Sequence, residues 1–138
     1  MIVTGHGSFA TGIASGIRLL AGEPEQFVTV DFAPEDSIES LTAKLEQAVQ
    51  QLAECSGILI YADLTGGSPF NVSIRMKMEY PGNMEVIGGA NLPAVLDGYM
   101  RRTMTDELLP LAGETLEAGK QAMALFHVSA EDEEDYEE

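Results

Sequence analysis

Two residues have the type and the setting for chemistry. His6 lies in I-V-T-G-H-G-S-F-A-T-G, and Asp63 in Y-A-D-L-T-G-G-S-P-F-N. Each stretch reads as a strand running into a glycine-bearing turn and then a helix. A histidine between glycines on such a turn is exposed, and a ligand can approach its backbone closely. Near neutral pH its uncharged ring supplies a nucleophilic nitrogen. A carboxylate on the other ring nitrogen fixes the tautomer, orients the ring and offsets the positive charge that appears once the first nitrogen has reacted. That role falls to Asp63. Free N–H groups at the helix start after Gly66, Gly67 and Ser68 would bind an anion, and a phosphoryl group is the obvious candidate. Its transfer asks mainly for in-line positioning and charge stabilisation.

Plainer roles are open to the same residues. His6 could be a solvated turn residue, Asp63 a turn cap and Ser68 a helix cap. Three rival chemistries also use them. Gly5-x-Gly7-x-x-Ala10 matches a relaxed dinucleotide turn, with Asp31 about 20 residues on, where a ribose-binding acid belongs; a bulky His fills that turn, and the chain is short for a six-strand domain. A Ser68, His6, Asp63 triad lacks the G-x-S-x-G elbow. Metal hydrolysis would need more ligands than two histidines give without heavy use of carboxylates. His127, in a late apolar stretch, reads as structural, and Asp31, Asp97, Arg101 and Arg102 could rim a site or be plain surface.

The elements that must position these residues follow from periodicity. Met1 to Thr4, Phe27 to Phe32, Gly57 to Ala62 and Met84 to Gly88 read as strands, the third so continuously apolar that it belongs at the centre of a sheet covered on both faces. Helices are expected through Phe9, Ile13, Ile17 and Leu20; through Ile38, Leu41, Leu45, Ala48 and Leu52, capped by Asp36 or Ser37; through Phe70, Ile74 and Met78, with Ser68 as cap and Pro69 first; through Leu92, Leu96 and Met100; and from Thr105 to Met123. Pro110 and Gly113 weaken the first half of the last one. Ala124 to Val128 reads as a final short strand. The alternation predicts an α/β fold with a mostly parallel sheet, in which turns after the strands open on one edge and bring His6 to Asp63.

The 138 residues fit one domain, 1–130, followed by an acidic tail, 131–138. The formal net charge is −16, and with only 7 Lys and Arg the chain is unsuited to nucleic acid. Removing the tail's seven negative charges leaves −9, and such a run of like charge repels itself and frays. Cys55 stands alone, without a disulfide or C-x-x-C partner, and reads as core filling. No signal peptide and no run of membrane-spanning length is present, which predicts a cytoplasmic location.

Together, V-T-G-H-G-S-F-A-T-G, the V-D-F ending at residue 32, A-D-L-T-G-G-S-P-F-N and V-I-G-G-A-N-L-P resemble the IIA component of the mannose family of the bacterial sugar phosphotransferase system. The resemblance runs to about residue 125. It implies a phosphocarrier without a cofactor or metal: the histidine matching His6 takes a phosphoryl group from the phosphohistidine of HPr and passes it to a histidine of a IIB component, which phosphorylates sugar entering through membrane IIC and IID subunits. It also implies that Asp63 pairs with His6 and that Gly66, Gly67 and Ser68 lie beside the phosphate. The implied fold is a four-stranded parallel sheet of order 2-1-3-4. The implied assembly is a homodimer exchanging a C-terminal strand, for which Ala124 to Val128 is the candidate. The chain departs from some relatives in having Leu64-Thr65 where others carry an aromatic residue, and the acidic tail in place of a linker to a IIB domain, which suggests a free-standing IIA chain. The IIA-like phosphoryl donor of dihydroxyacetone kinase is a related alternative. Tetrapyrrole metal chelatases resemble the chain only over residues 3–8.

Overall fold

The run Ile58 to Ala62 is wholly buried, and the other strands assemble on either side of it. In the computed structural model, which describes residues 1–130, the elements are β1 (Ile2–His6), α1 (Phe9–Ala21), β2 (Val28–Phe32), α2 (Ile38–Gln51), β3 (Ile58–Ala62), α3 (Ser68–Glu79), β4 (Met84–Ile87), α4 (Leu92–Arg101), a 3-10 turn over Arg102–Met104, and α5 (Leu108–Ala122). The strands form one parallel sheet of order β2-β1-β3-β4. Reversal of the strand order between β1 and β3 puts a crevice at their carboxyl ends. Thr4 pairs with both Val30 and Ala62, and the Asp63 N–H donates to the Thr4 carbonyl at 3.2 Å. The residue after β3 is thereby locked beside the end of β1.

The sheet separates two apolar cores. Val3, Leu59 and Tyr61 meet Ile17, Val95 and Leu111 on one side; Ile2, Ile58 and Ile60 meet Leu41, Leu45 and Val72 on the other. On the first side the Tyr61 hydroxyl bonds Thr115 Oγ1 at 2.9 Å, and Thr115 in turn donates to the Ala94 carbonyl at 2.5 Å. Gly98 admits that hydroxyl, which would collide with any side chain there. Burial holds the Tyr61 phenol well above its ordinary range, so it remains a neutral donor.

Several details differ from the expected pattern. Leu20, Met78 and Met100 continue the apolar spacing of their helices but are exposed. Each lies in a last turn, and a 13-residue helix, about 20 Å long, overruns a five-residue strand of about 17 Å. In α5 the buried positions are Leu111, Ala112, Thr115 and Gly119, not Ala122. Pro110 is tolerated because it is the third residue of a helix that starts at Leu108 rather than Thr105, where its missing N–H has no intrahelical partner to lose. Ser37 caps α2 in a reciprocal capping box with Ser40. Residues 124–128 form no strand with the chain's own sheet, and His127 is exposed rather than structural. Cys55 is half-buried at the margin of the second core. The acidic tail lies outside the described residues.

Candidate active site

His6 ends β1, and its position is set by its own backbone as well as its ring. Its N–H donates to Asp63 Oδ2 at 2.8 Å, and the next N–H, of Gly7, donates to the Phe32 carbonyl at 2.9 Å. Gly7 adopts φ +60°, a conformation that glycine takes without strain. Gly5 serves space instead: a Cβ there would stand 2.8 Å from the Asp63 carboxyl carbon and 2.5 Å from the Phe9 ring. Only glycine lets the carboxylate close against β1.

The expected pairing is present. His6 Nδ1 lies 3.0 Å from Asp63 Oδ2 and 3.2 Å from Oδ1. A carboxylate only accepts, so the neutral ring carries its proton on Nδ1 and its lone pair on Nε2. The His6 side chain is 46% exposed and that of Asp63 only 15%, which leaves the nucleophilic edge open and its partner sheltered. The Phe32 ring meets the imidazole edge-on, with centroids 5.8 Å apart.

The free edge faces the start of α3. A Cβ on Gly67 would be 2.8 Å from His6 Cε1 and 3.5 Å from Nε2. The sharp bend into α3 is made by Gly66 at φ +87°, and Gly67 is the cap residue. Ser68 is therefore the first helical residue and not the expected cap, and Pro69 is second. With Gly67 as the cap residue, the Ser68 hydroxyl has no capping role and remains available to a ligand. The Gly67 N–H already donates to the Leu64 carbonyl at 3.1 Å, whereas the Ser68 and Phe70 amides are first-turn groups with no intrahelical acceptor. Asn71 steadies the turn by donating from Nδ2 to the Gly66 carbonyl at 3.0 Å.

Asp31 does not project as a ribose-binding acid would. Both of its oxygens are bound at the start of α1, accepting from the Thr11 N–H at 3.1 Å and from Thr11 Oγ1 at 2.9 Å. An internal carboxylate thus occupies the helix N-terminus that a dinucleotide's pyrophosphate would need. Asp97 pairs with Arg101 along α4. Arg102 reaches the Glu25 and Gln26 carbonyls, which precede β2 at the opposite edge of the sheet. None of these three rims the site. Asp31, Phe32 and Gly5 are contributors that spacing alone did not assign; the V-D-F motif was the available signal for the first two.

A parallel sheet whose switch point holds a carboxylate-paired histidine against a helix N-terminus has the parts that group transfer through a histidine requires. The sequence comparisons narrow it. The family described as PTS system fructose IIA component, EIIA-man, matches residues 1–113, and the chain belongs to that family. It is 32% identical over 126 residues to the mannose-specific EIIAB component of Escherichia coli K12, covering 89% of this chain and 39% of that protein. The chain thus spans well under half the length of that curated relative. Identity to the fructose-specific EIIA component of Bacillus subtilis 168 is 29% over 97 residues, 70% of this chain and 66% of that one. The crystal structure of phosphotransferase system component EIIA from Streptococcus agalactiae superposes with a TM-score of 0.83 at 30% identity, covering 89% of this chain and 93% of that one.

Proposed function

We propose that the chain is a phosphocarrier: His6 Nε2 accepts a phosphoryl group from the phosphohistidine of HPr and passes it to a IIB component. One observation carries this reading, the commitment of Nδ1 to Asp63 while Nε2 faces the N-terminus of α3. In the forward step the Nε2 lone pair forms the new N–P bond as the donor's P–N bond breaks, and the donor imidazole leaves with that electron pair. The His6 ring becomes cationic, and the Asp63 carboxylate on Nδ1–H offsets the charge. The Ser68 amide and hydroxyl, with the Gly66–Gly67 turn and the helix dipole, hold the phosphoryl oxygens. Donation to IIB reverses the step, and membrane IIC and IID subunits carry the sugar.

Family membership supports a transferase role in sugar uptake. Among the described residues no helix is long and apolar enough to cross a membrane, which supports work in the cytoplasm. The dimer reading draws support from Met123 and Leu125, 86% and 91% exposed, and from β4, which among the described residues pairs with β3 alone. A groove of about 380 Å³ lined by Ile87, Ala90, Ala94, Leu116 and Met123 flanks that strand. Residues 124–128 of a second copy would add a strand there.

Incubation with phosphoenolpyruvate, enzyme I and HPr, followed by intact mass and peptide mapping, tests the proposal. One acid-labile phosphoryl group on His6, absent without HPr and absent from His6→Gln, is expected. A folded protein that remains unmodified sinks it.

A further inference from the structure

We propose that Asp31 is a positioning residue for His6, acting through Thr11 and the turn that joins β1 to α1. The inference rests on the carrier reading above and names a residue on which that reading does not depend.

The turn that carries His6 has no cap of its own. Ser8 occupies the cap position of α1 but makes no side-chain capping bond. Thr11, the third residue of the helix, has an N–H without an intrahelical acceptor. Asp31 supplies the missing acceptor from the end of the neighbouring strand, and its second oxygen takes the Thr11 hydroxyl. That hydroxyl also lies 3.2 Å from the Ser8 carbonyl, so one carboxylate ties the first turn of α1 to β2. The adjacent Phe32 accepts the Gly7 N–H and sets its ring edge-on to the imidazole.

His6 is thus held from two strands. Asp63, after β3, determines which nitrogen bears the proton. Asp31 and Phe32, at the end of β2, fix the short segment Gly7 to Thr11 and with it the direction in which Nε2 points. Asp31 also places negative charge on the N-terminus of α1. An incoming phosphoryl group is therefore left the N-terminus of α3, the one that Nε2 faces. Since both Asp31 oxygens are bound by Thr11 rather than by His6, its loss should loosen aim without changing how the donor protein docks. A displacement approaching 1 Å suffices for a large loss of rate.

The test compares wild type, Asp31→Ala and Asp31→Asn in single-turnover transfer from phospho-HPr, reading the maximal rate and the half-saturating donor concentration separately. Asp31→Ala should transfer about tenfold more slowly at an unchanged half-saturating concentration. Asp31→Asn, which can accept from the Thr11 N–H and donate to its hydroxyl, should stay within about twofold of wild type. A folded Asp31→Ala protein with the wild-type maximal rate overturns the inference while leaving the carrier reading intact. Equal impairment of both variants also overturns it, because charge and not the clamp would then matter. Should Asp31→Ala not fold, Thr11→Val removes one of the two bonds: a maximal rate about threefold lower supports the inference and an unchanged rate refutes it. Wild type that takes up no phosphoryl group overturns both readings together.

Discussion

A single methyl group added at Gly67 probes the relation between His6 and α3. Gly67 has φ −75° and ψ 168°, extended backbone that any residue adopts, so Gly67→Ala introduces no dihedral strain, and the Leu64 carbonyl, 3.3 Å from the new carbon, need give only by about 0.1 Å to reach ordinary contact. The loss of glycine at a helix cap and the reduced freedom of the unfolded chain act in opposite directions, each by about 1 kcal/mol or less, and should leave stability nearly unchanged. The effect falls on the ring. The new carbon would stand 2.8 Å from His6 Cε1, and relief to ordinary contact near 3.4 Å moves the imidazole by about 0.6 Å against its bonds to Asp63. Since misplacement on the scale of 1 Å costs up to about 100-fold, transfer from phospho-HPr should slow roughly ten- to hundredfold. The assay is the initial rate of mass increase in alkali-quenched samples, with melting temperature as control. A Gly67→Ala protein that melts normally and transfers at the wild-type rate would refute the placement of Nε2 over this turn.

Three further perturbations address other parts of the account. Asp63→Asn keeps the shape but removes the charge facing the reacting ring; loss of a charge-assisted bond of about 1.5–3 kcal/mol predicts transfer slowed about ten- to hundredfold in a folded protein, and normal rates would remove Asp63 from the mechanism. Thr115→Val leaves the buried Tyr61 hydroxyl and Ala94 carbonyl without their partner and should destabilise the fold by about 1–3 kcal/mol in urea denaturation, with phosphorylation of His6 unaffected; unchanged stability would mean that the network contributes nothing net. The Lys44 ammonium at 2.6 Å, first among several bonds, holds the Asp36 carboxyl below its ordinary value of 3.8. A carboxyl depressed on folding stabilises the protein above its unfolded pKa, and that contribution is lost as pH falls through the lower folded value. Asp36→Asn should therefore flatten the stability profile below about pH 4, and a profile identical to wild type would show the pair to be inert.

Much of the architecture was legible because the strands announce themselves. Ile58 to Ala62 is too continuously apolar for anything but a central strand, and the glycine turns after residues 4 and 62 placed both reactive groups at one sheet edge. The same logic failed where local and tertiary preferences compete. Ser68-Pro69 carries the signature of a cap and first helical residue, yet Gly66 at positive φ starts the helix one residue earlier, and the hydroxyl expected to cap is left for a ligand. The helix ends themselves fell where glycine and proline put them, but burial in their last turns was misread, because apolar spacing persists through Leu20, Met78 and Met100 after the sheet beneath them has ended. Asp31 matched a ribose-binding acid by distance along the chain. Distance along the chain cannot tell a carboxylate that points into solvent from one turned back onto a neighbouring helix.

The proposed transfer puts the phosphoryl group on one particular ring nitrogen, Nε2, and heteronuclear NMR of protein incubated with phospho-HPr reads that nitrogen directly. Coupling of phosphorus to Nε2, with Nδ1 still protonated and hydrogen-bonded, is the predicted result. Phosphorus on Nδ1 would require Asp63 to leave the ring and would contradict the account.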